Sequence, residues 1–498
     1  MNDFFVSAML LGALSSGDGL PFWATSNRYG LMPDNGFALG VVEARHDFGA
    51  ADAGIGNGAA VALREGFQWQ GGISLACALE SKDGGVKTVP VIDELYGGLR
   101  WKPLRFDAGM MHRSREFLGA DPLLGSLSST EGHVVESNNA RTMPGFRLAL
   151  EPWCVPYTRK HLSISGVWGD YLTTDTRHMQ DALVHRLRAY LRYDIVSGWY
   201  VQAGIDHYAL WGGSNPETGS MPVTFANYFR IVTGRNGVPG SSNLIDQQNT
   251  LGDQGGAEQF RIGWEREGRS ITFQWEKPYA DKSGMRMDNF PDGIYTLHYS
   301  LANKDCWLSD ILLEAHYTMW QSGTVQQKET DDEGNLLPYE EWSKLNVVGG
   351  DDYFNNREYK SGWTHYRRGI CAPLFFTGPY LEGIPGFENN RYKALHLGLG
   401  GKFFRKSPYR LMLTAGEYYG TYRQPYLPPS SLRSGWNWWE KNTIDKGLFQ
   451  FSAGLDGSVN LKAGRLPFAM SVIYGLYADF GKLLQHNVAA TAGIRINL

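Results

Sequence analysis

The run Glu136-Ser137-Asn138-Asn139-Ala140-Arg141 places two amides and a guanidinium within a few residues of each other. Asn amides both donate and accept hydrogen bonds, and Arg presents a planar fork of donors. Asn138, Asn139 and Arg141 are therefore candidates for holding sugar hydroxyls or an acidic sugar. The same run could instead be an Asx-rich turn that satisfies its own backbone. A second chemistry is stacking, because the apolar CH faces of sugar rings pack on aromatic rings. Trp211, Tyr228, Trp320, Trp342, Tyr353, Phe354, Trp363, Tyr366 and the cluster Trp436-Asn437-Trp438-Trp439 lie in or beside long polar segments. Tyr353, Trp363, Trp436, Trp438 and Trp439 are the glycan-platform candidates among them. Interface-girdle or loop-packing roles are the competing explanation for each.

Other chemistries find less support. Glu329-Thr330-Asp331-Asp332-Glu333-Gly334 with Glu340 imitates a calcium-loop spacing, but Glu opens it and Pro338 interrupts it, so it reads as an acidic solvated loop. Cys77, Cys154, Cys306 and Cys371 are far apart and show no metal-ligand spacing. His112, His133, His161, His178, His185 and His207 are scattered, and no G-x-S-x-G, HExxH or phosphate-binding glycine loop occurs. No catalytic residue, metal ligand or cofactor is assigned. A net charge of -4 gives no reason to expect a nucleic-acid partner.

These residues need a scaffold, and the scaffold is written in a period of two. Val488, Ala490, Ala492, Ile494, Ile496 and Leu498 alternate with Asn487, Ala489, Thr491, Gly493, Arg495 and Asn497. That is a strand with two unlike faces, about 10–12 residues long, enough to cross a bilayer at a tilt. The pattern recurs. Leu95, Gly97, Leu99 and Trp101 turn through Lys102-Pro103 into Leu104, Phe106, Ala108 and Met110. Similar pairs meet near Ser197-Gly198, Glu267-Gly268 and Lys406-Ser407-Pro408. Short joins alternate with long ones over roughly 112–144, 209–256, 277–293, 319–392 and 419–446, as in outer-membrane barrels. The composition agrees: 13% aromatic residues and 61 Gly among 498 residues, with no apolar run long enough for a transmembrane helix.

The expected fold is thus all-β: a transmembrane antiparallel barrel of about 18 strands occupying 1–498 as one domain. Phe4–Leu14 reads as its first strand, closing against the last. It lacks the preceding Lys or Arg of a signal peptide, so an export signal is expected outside the given sequence. Charged residues opposite apolar neighbours must face the lumen, since lipid would penalise each by up to about 2–4 kcal/mol. Arg100, Arg105, Arg186, Arg188, Arg192, Arg261 and Glu265 form this expected network, either bracing a filled barrel or contacting a hydrophilic ligand.

Several segments resemble the capsule-assembly Wzi family of outer-membrane proteins, in the version found in Bacteroidota-type bacteria. They are Ser137-Asn138-Asn139-Ala140-Arg141 followed by Met143-Pro144, Leu20–Gly30, Glu94–Arg100, Asp352–Asn356 with Ser361-Gly362-Trp363, and Asn389-Asn390-Arg391. The resemblance implies a barrel that is blocked rather than open. It also implies a lectin-like, non-enzymatic role in organising capsular or surface polysaccharide, with outer-membrane lipid and the barrel-insertion machinery as further partners and a monomeric state. Some family members carry an N-terminal helical bundle, and no amphipathic helix precedes the first strand here. A porin or uptake channel for polar solutes is the alternative, and a barrel hydrolase a third reading.

Overall fold

The computed structural model describes residues 4–48, 66–112, 125–239, 250–280, 282–321, 324–326, 346–348, 351–427, 446–461 and 468–498. Eighteen strands form one sheet. The first nine are β1 (Phe4–Ser15), β2 (Gly36–His46), β3 (Phe67–Lys82), β4 (Gly85–Trp101), β5 (Leu104–Met110), β6 (Gly145–Cys154), β7 (Leu162–Leu172), β8 (Leu183–Asp194) and β9 (Trp199–Trp211). They continue as β10 (Asp253–Arg266), β11 (Arg269–Tyr279), β12 (Gly293–Ser300), β13 (Asp310–Tyr317), β14 (Tyr392–Phe403), β15 (Ser407–Tyr418), β16 (Leu448–Leu461), β17 (Ala469–Gly481) and β18 (Asn487–Asn497). Each pairs antiparallel with the next. β18 returns to β1, with Ile494 opposite Leu10 and Ala490 opposite Leu14. Closure leaves no strand edge, which a hydrocarbon environment requires.

The wall is apolar outside and polar inside. Leu297, Leu313 and Leu397 sit side by side on β12, β13 and β14. Leu297 and Leu313 are 43% and 46% exposed, while Glu314, next along the chain, is buried completely. The same inversion holds for Leu99 and Arg100. An exposed belt of leucine and aromatic residues is stable in lipid and not in water.

Register shifts interrupt simple alternation in β2, β4 and β6, and the one in β4 gathers charge. Between β3 and β4, Ser74 opposes Glu94 and Leu75 opposes Ile92, so Asp93 is an extra residue. This bulge turns the neighbours Asp93 and Glu94 both inward and lets Ile92 and Leu95 both face out.

Apart from residues 47–66 between β2 and β3, the long connections gather at one end, and three of them enter the lumen. Residues 20–32, 125–144 and 351–391 are buried along most of their length. Their apolar side chains, including Trp23, Val134, Val135, Trp363 and Phe375, join inward wall residues such as Tyr208 and Tyr392 in one cluster. The packed core of this protein is therefore inside the barrel, at the long-connection end. At the short-connection end Arg192 and Glu265 instead line a vestibule of about 550 Å³.

Candidate functional site

The plug is fixed to the wall by polar side chains that reach inward from many strands. Segment 126–136 crosses the lumen with its backbone held at intervals. Arg410 Nη1 donates to the Ser126 carbonyl at 2.7 Å, and His396 Nε2 lies 2.8 Å from the Leu127 carbonyl. Gln259 and Gln274 both donate to the Gly132 carbonyl, at 3.2 and 3.1 Å. Glu314 accepts from the Ser128 hydroxyl at 2.6 Å and the Ser129 amide at 3.1 Å. Glu276 accepts from the Val134 amide at 3.0 Å. Buried backbone groups that make no strand ladder need such partners, and the lumen wall supplies them.

The amide cluster lies within this plug. Asn138 is fully buried; its backbone carbonyl accepts from the Tyr29 amide at 2.6 Å, and its side-chain amide has no hydrogen-bond partner among the described residues. Asn139 is also buried, accepting from the Asn27 amide at 3.3 Å and donating to the Gly369 carbonyl at 3.2 Å. Tyr353 and Trp363 are 1% and 0% exposed, so neither ring has a free face. Trp363 stacks on Tyr208 with centroids 4.1 Å apart and donates from Nε1 to the Val135 carbonyl at 2.7 Å. The Tyr353 hydroxyl donates to Asp292 at 2.9 Å, and burial pushes the Asp292 carboxyl up to about 7. Trp436, Trp438, Trp439 and the acidic Glu329–Glu340 loop lie outside the described residues. Arg141 differs from its neighbours: it is partly exposed, and its guanidinium lies 4.5 Å from the centroid of the exposed Tyr366 ring.

The lumen charges are paired. Glu136, from the plug, lies 2.9 Å from Arg186 and 3.2 Å from Arg188, and both arginines also bind Asp206 on β9, at 2.7 and 2.9 Å. Arg105 and Arg147 share Asp107, each at 2.8 Å. Arg192 pairs with Asp194 at 2.8 Å and lies 3.9 Å from Glu265. Arg100 donates to Gln68 at 2.9 Å and Arg261 to Gln274 at 2.8 Å. The last strand contributes Arg495, 3.1 Å from Glu43. Beside Arg147, Arg186 and Arg188 the remaining cavity is about 80 Å³, room for waters rather than a sugar.

The fold also assembles groups that the sequence reading left apart. Asp93, Glu94 and His112 bring a ligand atom each to within 4.8 Å of one another. Such a set has the chemistry to hold a divalent cation. These atoms are already engaged, however: His112 Nε2 lies 2.7 Å from Asp93, and Glu94 accepts from the His112 amide at 2.7 Å. Sequence alternation treats Asp93 and Glu94 as opposite faces, and only the bulge makes them neighbours. The signal was Ile92, which strict alternation back from Trp101 would have turned inward.

No protein-family model and no curated protein matches this chain. Solved structures do. Wzi of Escherichia coli, an outer-membrane protein involved in group 1 capsule assembly and described as a carbohydrate-binding β-barrel, is 12% identical; the match covers 98% of this chain and 83% of that one, with a TM-score of 0.50. The outer-membrane protein OpdK of Pseudomonas aeruginosa is 8% identical over 100% of this chain and 99% of its own, with a TM-score of 0.42. OpdO of the same organism is 10% identical over 100% and 97%, at 0.43. At these identities the likeness is one of fold: an outer-membrane-type barrel.

Proposed function

We propose that this chain is an outer-membrane protein that holds surface polysaccharide at the cell exterior without catalysing a reaction. The observation that carries this reading is the plug. Three connections fill the lumen at the long-connection end, and wall side chains from β8, β10, β11, β13, β14 and β15 bond to one of them. An uptake channel would need a wet path there, whereas a binder needs only a rigid base for its outer surface. The likeness in fold to Wzi, itself described as carbohydrate-binding, points the same way. In this reading the long connections face outward and lipid surrounds the leucine belt. The insertion machinery is a partner only during assembly, and the barrel works as a monomer. Exposed loop residues, such as the Arg141–Tyr366 pair, meet the glycan, and the buried amides brace them.

The vestibule lined by Arg192 and Glu265 favours the second reading, an uptake channel for polar solutes, provided the plug can move. Conductance separates the two. Purified protein in planar bilayers is expected to show no steady current, and cells lacking it are expected to make polysaccharide but shed it. A large steady current, or unchanged cell-associated polysaccharide in the deletion strain, would overturn the binding role.

A further inference from the structure

A cavity of about 260 Å³ opens at the long-connection end, between residues 173–182, which join β7 to β8, and the long connection from β13 to β14. Asp175, Arg177, His178, Ser361, Thr364 and Arg367 line it. Its polar groups are firmly placed but incompletely used. Arg177 is 6% exposed; its Nη1 donates to the Thr364 carbonyl at 2.9 Å and its Nη2 to the Gly362 carbonyl at 2.8 Å. Both acceptors are neutral, and Asp175 stands 3.7 Å away, beyond a direct hydrogen bond. Burial correspondingly lowers the hold of Arg177 on its proton. Asp175 is 8% exposed and accepts the Tyr366 amide on Oδ2 at 3.0 Å.

Three of these neighbours each retain a buried polar atom with no hydrogen-bond partner among the described residues: Asp175 Oδ1, Arg177 Nε and His178 Nδ1. Leaving such an atom unbonded is costly. Three around one opening describe a site that a hydroxylated molecule would complete. At its mouth is the turn of a short hairpin in which Thr364 pairs with Gly369 and His365 with Arg368. Tyr366 and Arg367, the turn residues, have φ of 50° and 62°. A two-residue hairpin turn calls for that left-handed conformation at both central positions. Here it presents the exposed Arg367 to the cavity.

Two guanidiniums, Arg177 and Arg367, share the lining with the Asp175 carboxylate, while the His178 imidazole lies 3.4 Å from Glu217. The lining therefore suits a ligand that brings a negative charge and several hydroxyls. We propose that this cavity binds an acidic sugar unit, a pyranose ring bearing a carboxylate, within the surface polysaccharide. The sugar carboxylate meets Arg367 over the buried Arg177 cation, and a ring hydroxyl donates to Asp175. This inference rests on the glycan-binding role proposed above and adds the site and the charge of its ligand.

The test is titration calorimetry on the purified full-length protein with D-glucuronate, D-glucose and acetate, beside binding of the polysaccharide extracted from the producing cells. Glucuronate is expected to bind about tenfold or more tightly than either control, which lack the charge or the ring. Arg367→Gly keeps the turn conformation while removing the cation, and is expected to weaken glucuronate about tenfold or more. Arg177→Gln is expected to do the same if it folds, and Arg367→Gly decides the matter if it does not. Equal binding of glucose, equal binding of acetate, or an unaltered Arg367→Gly variant would overturn the acidic-sugar site. Polysaccharide binding that persists without glucuronate binding would overturn the site and leave the glycan-binding role standing. No binding of either would remove both.

Discussion

The wall and the plug of this barrel solve the same problem, satisfying backbone in a place without bulk water, by different means. In the wall each strand bonds to its neighbours, and side chains are free to sort by face. Leu313 points to lipid and Glu314 to the lumen because they are adjacent on one strand. The plug makes few ladders, so its backbone depends on individual side chains such as Gln259, Glu276, Arg410 and His396. The comparison teaches that the wall is redundant and local, while the plug is specific and long-range. Single substitutions ought to separate them.

The largest separation is expected from Trp363→Ala. It removes a ring stacked 4.1 Å from Tyr208 and a hydrogen bond to Val135, at a cost of about 3–5 kcal/mol to the plug. Proteolysis within residues 351–391 is expected to quicken and current to appear in bilayers, with β-sheet dichroism unchanged. Loss of the sheet signal would show that wall and plug fold as one unit. Leu313→Arg strikes the wall instead. A cation in the leucine belt costs about 2–4 kcal/mol near the bilayer midplane. Refolding into lipid vesicles is expected to need less denaturant to reverse, and an opened plug with an unchanged wall would break the comparison.

Deleting Asp93 sharpens it further. Removing the bulged residue restores simple pairing of Ser74 with Glu94 and Leu75 with Ile92, and no side chain changes face. The wall is expected to form, with about 1–3 kcal/mol lost with the hydrogen bonds from Ser74 and Thr142 to Asp93. Failure to insert would show that the bulge is needed to shape the barrel.

The gentlest probe is pH. Burial raises the Asp292 carboxyl from 3.8 to about 7, so between those values the folded plug binds more protons than the unfolded chain. Its stability is therefore fully present below about pH 4 and declines as pH rises towards 7, by at most about 1.4 kcal/mol per unit. Protease sensitivity of the plug is expected to rise across that window in the wild type and to rise less steeply in Asp292→Asn. A slope of opposite sign would contradict this.

The strand face of each residue was legible because alternation needs only the nearest neighbours in the chain. Leu95, Leu99 and Phe106 read correctly as outward, and Arg100, Arg186 and Arg495 as inward, with an 18-stranded closed sheet between the two surfaces. The site was far less legible. Asn138, Asn139, Tyr353 and Trp363 carry the chemistry of an exposed binding loop, and their burial depends on where loops fold after the barrel closes. Tyr366 and Arg367 lie a few positions beyond Trp363 and end at the surface, and no local period separates the two outcomes. Asp175 and Arg177 meet Ser361 and Thr364 across nearly two hundred residues.

The sequence by itself determined the wall, because lipid outside and polar lumen inside impose opposite demands on successive residues. Only the tertiary structure decided which loops became core, which charges found partners, and where unpaired polar atoms gathered around an opening. Those outcomes turn on long-range contacts between irregular segments, and such contacts leave no repeat in the chain to read.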